Sequence, residues 1–348
     1  MVVYLHVPFQ VPPSRADESA FATAVVREIE RSAPIADAPL RTLYVGGGRP
    51  ALLSVSALQT IVEALHAHLG SAAGWEATVE LHPANASRPF LAALREQGFT
   101  RLSIDARPLA DAELRPPLHL AHEAGFDRLS LDLAFGGPEQ SHAAWKTRLH
   151  RAVDLRVPHV ALHERAPEEG TSNERERSDR FAFAMTVLPA KGYEQYELTH
   201  FARPGHRSQY QTHVYAHGDV LGLGPSAESF RWPDRSDPST AERWSNVPDL
   251  ATYVKRLHND ASPVAQHEAL DRPALAREYI LLRLRTSDGL DLSVLDDRYG
   301  VSLRARRAST LDRLTEEGLL HDDPDRVRLT PRGRLLTDAI TQRLIREA

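Results

Sequence analysis

Residues 41–69 read RTLYVGGGRPALLSVSALQTIVEALHAHL, and this stretch combines a strand, a glycine turn and a helix. The first part, RTLYVGGG (41–48), is a short apolar run of the kind that forms a buried strand. In SVSALQTIVEALHAHL (54–69), apolar residues recur at i, i+3 and i+4, which predicts an amphipathic helix. A strand that leads into a helix is the repeating unit of parallel α/β folds.

The same unit recurs along the first half of the chain. The strand-like runs are VVYLHV (2–7), RTLYVGGG (41–48), ATVELHP (77–83), RLSIDA (101–106), RLSLDLAFGG (128–137) and HVALHE (159–164). Helix-like segments separate most of them, so right-handed crossovers would give a parallel sheet. Six units are too few for an eight-stranded barrel. We therefore predict an α/β fold, a partial (β/α)6 TIM-like barrel.

One crossover has little room. The interval 101–130 must contain a whole helix, and RPP (115–117) is expected to break any helix there because proline disrupts helical hydrogen bonding. We expect a shortened or distorted layer on that side of the barrel.

The last part of the chain has a helical pattern. Its segments are RPALAREYILLRLRT (272–286), STLDRLTEEGLL (309–320) and DRVRLTPRGRLLTDAI (325–340). Two helices followed by a short hairpin arm indicate a winged-helix-like order. The predicted division is a barrel with its strand extension at 1–230, a connecting segment at 231–265 and a C-terminal helical domain at 266–348.

Composition narrows the function classes. The chain has 348 residues, of which 42% are hydrophobic, and a formal net charge of −5. A negative charge argues against a protein that coats nucleic acid. We see no apolar run of membrane length and no signal peptide, so we expect a cytoplasmic protein without a membrane span. With no cysteine, disulfides, thiolate nucleophiles and cysteine-ligated metal clusters are excluded.

Ten stretches in order resemble the radical SAM family, in the branch of oxygen-independent coproporphyrinogen III oxidase and the haem chaperone HemW. They are YLHVPF, YVGGGRPALL, VELHP, TRLSID, AGFDRLSLDLAFGGPEQS, EEGT, GYEQYELTHFARPG, GDVLGLGPSAESF, RWSNVPDLATYV and LTPRGRLL. They run from residue 3 to about residue 336, nearly the whole chain. The HemW-like subset is the more similar because the chain is short.

The resemblance implies a 4Fe–4S cluster held by three cysteines, but this chain has Gln10, Ser14 and Asp17 at those positions. Amide, hydroxyl and carboxylate oxygens are hard, weak ligands for such a cluster. We therefore expect no iron–sulfur cluster and no catalytic residues for radical chemistry.

The resemblance also implies an S-adenosylmethionine site, and part of it is retained. Its matching positions are Gly46, Gly47, Gly48, Glu80 and Asp132. Glycines would permit close approach of a ligand, but they also suit a tight turn, and the two acids could equally cap helices.

Other cofactor positions differ. Arg49 replaces a family threonine, and Asp105 and Arg107 replace a glycine and a glutamine. We expect weak S-adenosylmethionine binding or none.

HemW-like proteins carry a His-Asn-x-x-Tyr-Trp segment that is linked to haem binding. It aligns here with residues 210–215, where Tyr210 replaces the histidine and His213 and His217 follow. Tyrosine can ligate ferric haem, so these three residues are the haem candidates. The two histidines also have the spacing of a metal pair on a helix turn, although a solvated loop is the favoured interpretation.

The resulting hypothesis is a degenerate HemW-like protein that binds haem, another tetrapyrrole or a partner protein in the former cofactor cleft without catalysis. One alternative is a pure regulatory or interaction relative of an active paralogue. Another is a coproporphyrinogen oxidase-like radical SAM enzyme, which similarity alone suggests. An open cleft would favour ligand binding, whereas a cleft filled by Arg49 or Arg107 would favour the interaction protein.

Overall fold

A computed structural model describes residues 1–8, 15–35, 38–107, 113–137, 140–165, 174–234 and 239–345. The strands are β1 (Val2–Val7), β2 (Leu40–Gly47), β3 (Ser71–Leu81), β4 (Arg101–Asp105), β5 (Arg128–Phe135), β6 (His159–Glu164), β7 (Glu194–Gln195), β8 (His200–Ala202), β9 (Leu221–Leu223), β10 (Glu228–Arg231), β11 (Thr240–Asn246), β12 (Val264–Asp271), β13 (Leu290–Asp291) and β14 (Arg326–Val327). The helices are α1 (Arg15–Ser32), α2 (Val55–Leu69), α3 (Arg88–Glu96), α4 (Arg115–Glu123), α5 (His142–Asp154), α6 (Glu174–Ala190), α7 (Gln209–Tyr215), α8 (Leu250–His258), α9 (Arg272–Leu284), α10 (Leu292–Tyr299), α11 (Leu303–Glu316), α12 (Pro331–Arg334) and α13 (Thr337–Ile345).

The six predicted strands, β1 to β6, form a continuous parallel part of one nine-stranded sheet. Its order is β7-β8-β6-β5-β4-β3-β2-β1-β9, and each neighbouring pair from β1 to β6 is parallel. Strand β9 adds a parallel partner to β1, while β8 runs antiparallel to β6. The carboxyl ends of β1 to β6 therefore lie at one edge of the sheet.

Each strand separates an apolar face from a polar one. On β1, Val3, Leu5 and Val7 are buried in the main core, whereas Tyr4 and His6 alternate with them and contact each other by their ring edges. Side chains two apart share a face of a strand. The helices therefore cover the apolar face, and the polar and aromatic side chains lie inside the barrel.

The prediction that RPP prevents a helix is wrong. Pro116 and Pro117 lie in the first turn of α4, where a backbone N–H has no intrahelical acceptor to lose. Helix α4 has 9 residues, as many as α3 and fewer than the 15 of α2, so a short helix is not specific to this crossover.

The chain forms a second apolar core after the barrel. It begins with Trp232 and Ala241 and continues through α9, α10 and α11. Helix α8 belongs to the first core instead, through Tyr253 and Leu257. The segment 231–265 is thus divided between the two cores.

Glu28 on α1 joins three distant segments. Its Oε1 accepts a hydrogen bond from Asn246 Nδ2 at 2.6 Å, and its Oε2 accepts one from the Gly224 amide at 2.9 Å and one from the Tyr253 hydroxyl. No cation is among these donors, and burial raises the pKa of Glu28 to about 7. Two stretches of the family resemblance, GDVLGLGPSAESF and RWSNVPDLATYV, contain these donors, so a packing role accounts for their matching residues.

A second buried carboxylate joins the barrel to the C-terminal helices. Glu197 is 1% exposed and lies 2.9 Å from Nε of Arg285, just after α9, and 2.7 Å from Nδ1 of His200. Burial would raise the pKa of Glu197, but His200 and Arg285 hold it at about 2. The ion pair between Glu197 and Arg285 is therefore fully formed at neutral pH.

Among the described residues, no helix is both long and apolar enough to cross a bilayer.

Candidate functional site

The glycine turn after β2 is packed by the protein's own side chains. A Cβ at Gly46 would lie 2.8 Å from Cε1 of Tyr44 and 3.0 Å from Oε1 of Glu80. Gly47 has a φ of +98°, and a Cβ there would lie 2.9 Å from the ring of His6. The amide of Gly48 donates to the carbonyl of Val7. Internal packing therefore favours glycine at 46 and 47 without any ligand.

Glu80 lies against this turn with its carboxyl group already engaged. The hydroxyl of Tyr44 donates to its Oε1 at 2.9 Å. Burial raises the pKa of Glu80 to about 7, and the nearby charge of Asp132 adds to the shift. The carboxyl group is therefore partly protonated at neutral pH.

Asp132 is held by hydroxyl groups. It is 6% exposed and accepts a hydrogen bond from Ser103 Oγ at 3.0 Å. Its other oxygen lies 3.8 Å from Nε2 of His163, and burial lowers the pKa of His163 despite that carboxylate. The structure thus brings Gly46, Glu80 and Asp132 together at the carboxyl ends of β2, β3 and β5.

The substituted arginines differ in their surroundings. Arg107 pairs with Asp105 on its own turn, with Nε–Oδ1 and Nη2–Oδ2 distances of 2.7 and 3.1 Å. Arg49 is exposed at the surface. Of the two, Arg107 is the one whose charge reaches Glu80, and it opposes the rise in that carboxyl group's pKa.

Tyr210 on α7 packs inside the barrel. Its ring centroid is 4.8 Å from that of Tyr44 and 6.0 Å from that of Tyr4. Burial raises the pKa of the Tyr210 phenol well above its ordinary value, and the charges of Tyr4 and Glu80 act in the same direction. The phenol is therefore neutral at physiological pH.

The expectation of a solvated loop at the two histidines is wrong. His213 lies in α7 with Nε2 2.9 Å from the Asp219 carbonyl, and its ring covers Gly218. His217 is 4% exposed, with Nδ1 2.9 Å from the hydroxyl of Tyr299. Because the two rings bind different partners, they do not form a metal pair.

A cavity of about 500 Å³ opens beside α7 and reaches α9 of the C-terminal helices. Its wall includes Tyr4, Tyr210, His217, Phe230, Arg243 and Glu278. Two of the three haem candidates therefore share one cavity, and His213 is not part of its wall. The volume lies within the ~300–1,000 Å³ typical of small-molecule sites.

The comparisons with known proteins agree with this architecture. A family model described as the HemN C-terminal domain matches residues 270–336. The heme chaperone HemW of Mycobacterium tuberculosis is 30% identical, with 99% of this chain and 94% of the relative covered. The chain belongs to the HemW family.

Other relatives support the same placement. The heme chaperone HemW of Bacillus subtilis is 25% identical over 86% of this chain and 84% of its own. The solved structure of coproporphyrinogen III oxidase (HemN) from Escherichia coli, a radical SAM enzyme, has a TM-score of 0.81 and 22% identity, with 99% and 89% of the two chains covered. This likeness confirms the predicted fold class, a TIM-like barrel with a C-terminal helical domain.

The donor set of this HemW-family chain does not fit an iron–sulfur cluster. Such clusters need thiolate ligands, and the chain has no cysteine. Of the three replaced positions, Gln10 and Ser14 lie outside the described residues, and Asp17 is exposed in the first turn of α1. We therefore derive no chemical step through a cluster or through S-adenosylmethionine bound to it.

Sequence reasoning missed part of the cavity. Arg243 and Glu278 form an ion pair of 2.7 Å in its wall, and Tyr299 contacts His217 from α10. These residues are 35 to 82 positions from their partners. The one signal for this wall in the sequence was Glu278, an acidic residue within the apolar pattern of RPALAREYILLRLRT.

Proposed function

We propose that this HemW-family chain is a non-catalytic protein that binds haem or a related tetrapyrrole without an iron–sulfur cluster. The observation that carries the proposal is the cavity of about 500 Å³ whose wall contains both Tyr210 and His217. Aromatic rings of Tyr4 and Phe230 also line it, and flat conjugated ligands stack on such rings. Several relatives are named heme chaperones.

The proposed site differs from the one expected from the sequence. At the positions that the resemblance assigns to the cofactor cleft, Tyr44 binds Glu80 and Arg107 binds Asp105. The cavity beside α7 is bounded by the barrel on one side and α9 on the other.

Titration of the purified protein with haemin, followed by absorbance, tests the proposal. We expect a saturable shift of the Soret band at one haemin per chain. Haemin spectra that equal those in buffer alone would overturn tetrapyrrole binding.

A second candidate is an interaction protein that regulates an active paralogue. The contacts of Tyr44 with Glu80 and of Arg107 with Asp105 favour it, since these side chains bind each other at the positions where the family resemblance implies a ligand. Absence of haemin binding, together with saturable binding of a HemW-family protein that retains its cysteines, would support this alternative.

A further inference from the structure

His217 has an unusual backbone for a buried residue. Its φ is +59°, and Ser226, another residue of the cavity wall, has a φ of +60°. His217 follows the C-cap of α7, where its amide donates to the Val214 carbonyl and that of Gly218 to the His213 carbonyl, the helix ending that places a left-handed residue at this position. The end of α7 therefore fixes the backbone of His217 beside the cavity.

The imidazole ring of His217 is held on several sides. Tyr299 contacts Nδ1 at 2.9 Å, and the ring stacks on Phe230 with a centroid distance of 4.7 Å. The indole N–H of Trp232 donates to the His217 carbonyl at 3.0 Å. The ring therefore has one orientation, with Nε2 directed away from Tyr299.

Nε2 of His217 is buried without an aligned hydrogen bond. It lies 3.4 Å from Oε2 of Glu278, and the same oxygen lies 2.7 Å from Arg243. Nε2 therefore has one long contact, with a carboxylate that Arg243 binds more closely. All three side chains line the cavity, and Nε2 itself is buried behind the Glu278 carboxylate, so a ligand would reach it by displacing that carboxylate.

On the basis of the tetrapyrrole binding proposed above, we infer that His217 binds the ligand's metal through Nε2, with Tyr299 as its positioning residue and Glu278 as a displaceable cap. Metal-bound histidines usually have their second ring nitrogen held by a hydrogen-bond partner, which Tyr299 supplies. A metal at Nε2 must displace the Glu278 carboxylate, and Arg243 retains that carboxylate nearby.

The other two haem candidates, Tyr210 and His213, lack a ligand atom that is both available and held in place by a partner. Tyr210 is a neutral phenol packed between aromatic rings, and His213 has its Nε2 engaged by the Asp219 carbonyl. Since Glu278 and Tyr299 both belong to the C-terminal helices, that domain controls access to the histidine and its orientation.

Two substitutions with opposite expected effects test the inference. Glu278→Ala removes the cap, so we expect haemin to bind roughly 5-fold more tightly, as for the loss of one modest competing contact. Tyr299→Phe keeps the ring and removes the hydroxyl, and we expect about 10-fold weaker binding, as for loss of a positioning partner. Thr212→Ala, at an exposed position of α7 outside the cavity wall, is the control and leaves the haemin affinity unchanged.

Metal-free protoporphyrin IX separates metal ligation from stacking. We expect wild type to bind haemin at least about 10-fold more tightly than the metal-free ring, and Tyr299→Phe to reduce that ratio. Far-ultraviolet circular dichroism checks that each variant is folded.

The outcomes distinguish the two levels of proposal. Haemin binding with equal affinity in wild type, Glu278→Ala and Tyr299→Phe overturns the role of His217 and leaves tetrapyrrole binding intact. Equal affinity of wild type for haemin and for metal-free protoporphyrin IX also overturns the role of His217 and leaves tetrapyrrole binding intact. No haemin binding by wild type overturns both.

Discussion

The hydroxyl of Tyr44 donates a 2.9 Å hydrogen bond to Oε1 of Glu80. The carboxyl group that matches a family cofactor position is thereby bound within the protein, against a glycine that has no space for a side chain. Partial protonation of Glu80 fits this arrangement, because no cation pairs with it directly and Asp132 repels its charge. Tyr44, Gly46 and Glu80 therefore form one packed contact at the carboxyl ends of β2 and β3.

Glu80→Gln is expected to change how stability depends on pH. The pKa of Glu80 is raised from 4.5 to about 7 in the folded protein, so the folded state holds its proton more tightly. Its contribution to the free energy of unfolding is complete below pH 4.5 and is lost as pH rises through about 7. Urea denaturation at several pH values is expected to show that the free energy of unfolding falls less with rising pH in the variant, by about 3 kcal/mol.

The pKa of Glu28 is also raised, so its contribution to the pH dependence of stability must be separated from that of Glu80. We expect the double variant Glu28→Gln, Glu80→Gln to have a flatter profile than either single variant. Parallel pH profiles for wild type and Glu80→Gln would show that the carboxyl group of Glu80 does not titrate in this range.

Glu28→Ala is expected to destabilise the fold strongly. It leaves the Gly224 amide, the Asn246 amide group and the Tyr253 hydroxyl without their buried acceptor. Each unsatisfied group costs about 1–3 kcal/mol, so the expected loss exceeds ~3 kcal/mol by urea denaturation. Thr23→Ala at an exposed position of the same helix is the control, with an expected change within ~0.5 kcal/mol. Similar losses for the two variants would contradict the role given to Glu28.

Arg285→Ala is expected to loosen the C-terminal helices from the barrel. It leaves Glu197 with less compensation for its buried charge, at a cost of about 3 kcal/mol. The matched control is Arg313→Ala, which removes an exposed pair with Glu317 and is expected to cost under ~0.5 kcal/mol. Limited proteolysis gives a second measurement, since faster cleavage between barrel and C-terminal helices is expected for Arg285→Ala alone.

The strands of the barrel could be predicted because their apolar runs are local and end in glycine or polar residues. HVALHE (159–164) coincides with β6, and VVYLHV (2–7) coincides with β1. The proline error at α4 arose because the same residue that ends a helix also suits its first turn. Its position relative to the helix start decides between these roles, and composition does not reveal that start.

The cavity could be predicted only in part. The family resemblance pointed to Tyr210 and His217 because they lie in one continuous segment. It could not supply Glu278 or Tyr299, which reach His217 through packing between two separate apolar cores. Nor could it show that Tyr44 and Glu80 bind each other, since that depends on strand register.

Restoring the cysteines tests the loss of the cluster. The variant Gln10→Cys, Ser14→Cys, Asp17→Cys supplies three thiolates at the family spacing. After anaerobic reconstitution with iron and sulfide, we expect bound iron and broad absorbance near ~400 nm in the variant and in neither wild type nor Ser14→Cys alone, because thiolates hold such clusters. Stoichiometric iron with acid-labile sulfide in wild type would show that other ligands suffice.

Tyr210→Phe tests the haem ligand that the family alignment suggested first. Ligation by Tyr210 would require tyrosinate, which prefers ferric to ferrous iron. Burial against Tyr4 and Tyr44 raises the pKa of Tyr210 well above its ordinary value and so opposes ionisation. We therefore expect Tyr210→Phe to keep the ferric haemin spectrum and to change the affinity by less than about 3-fold, the effect of one modest contact. Loss of a ferric preference in this variant, with His217 unaltered, would return the ligand role to Tyr210.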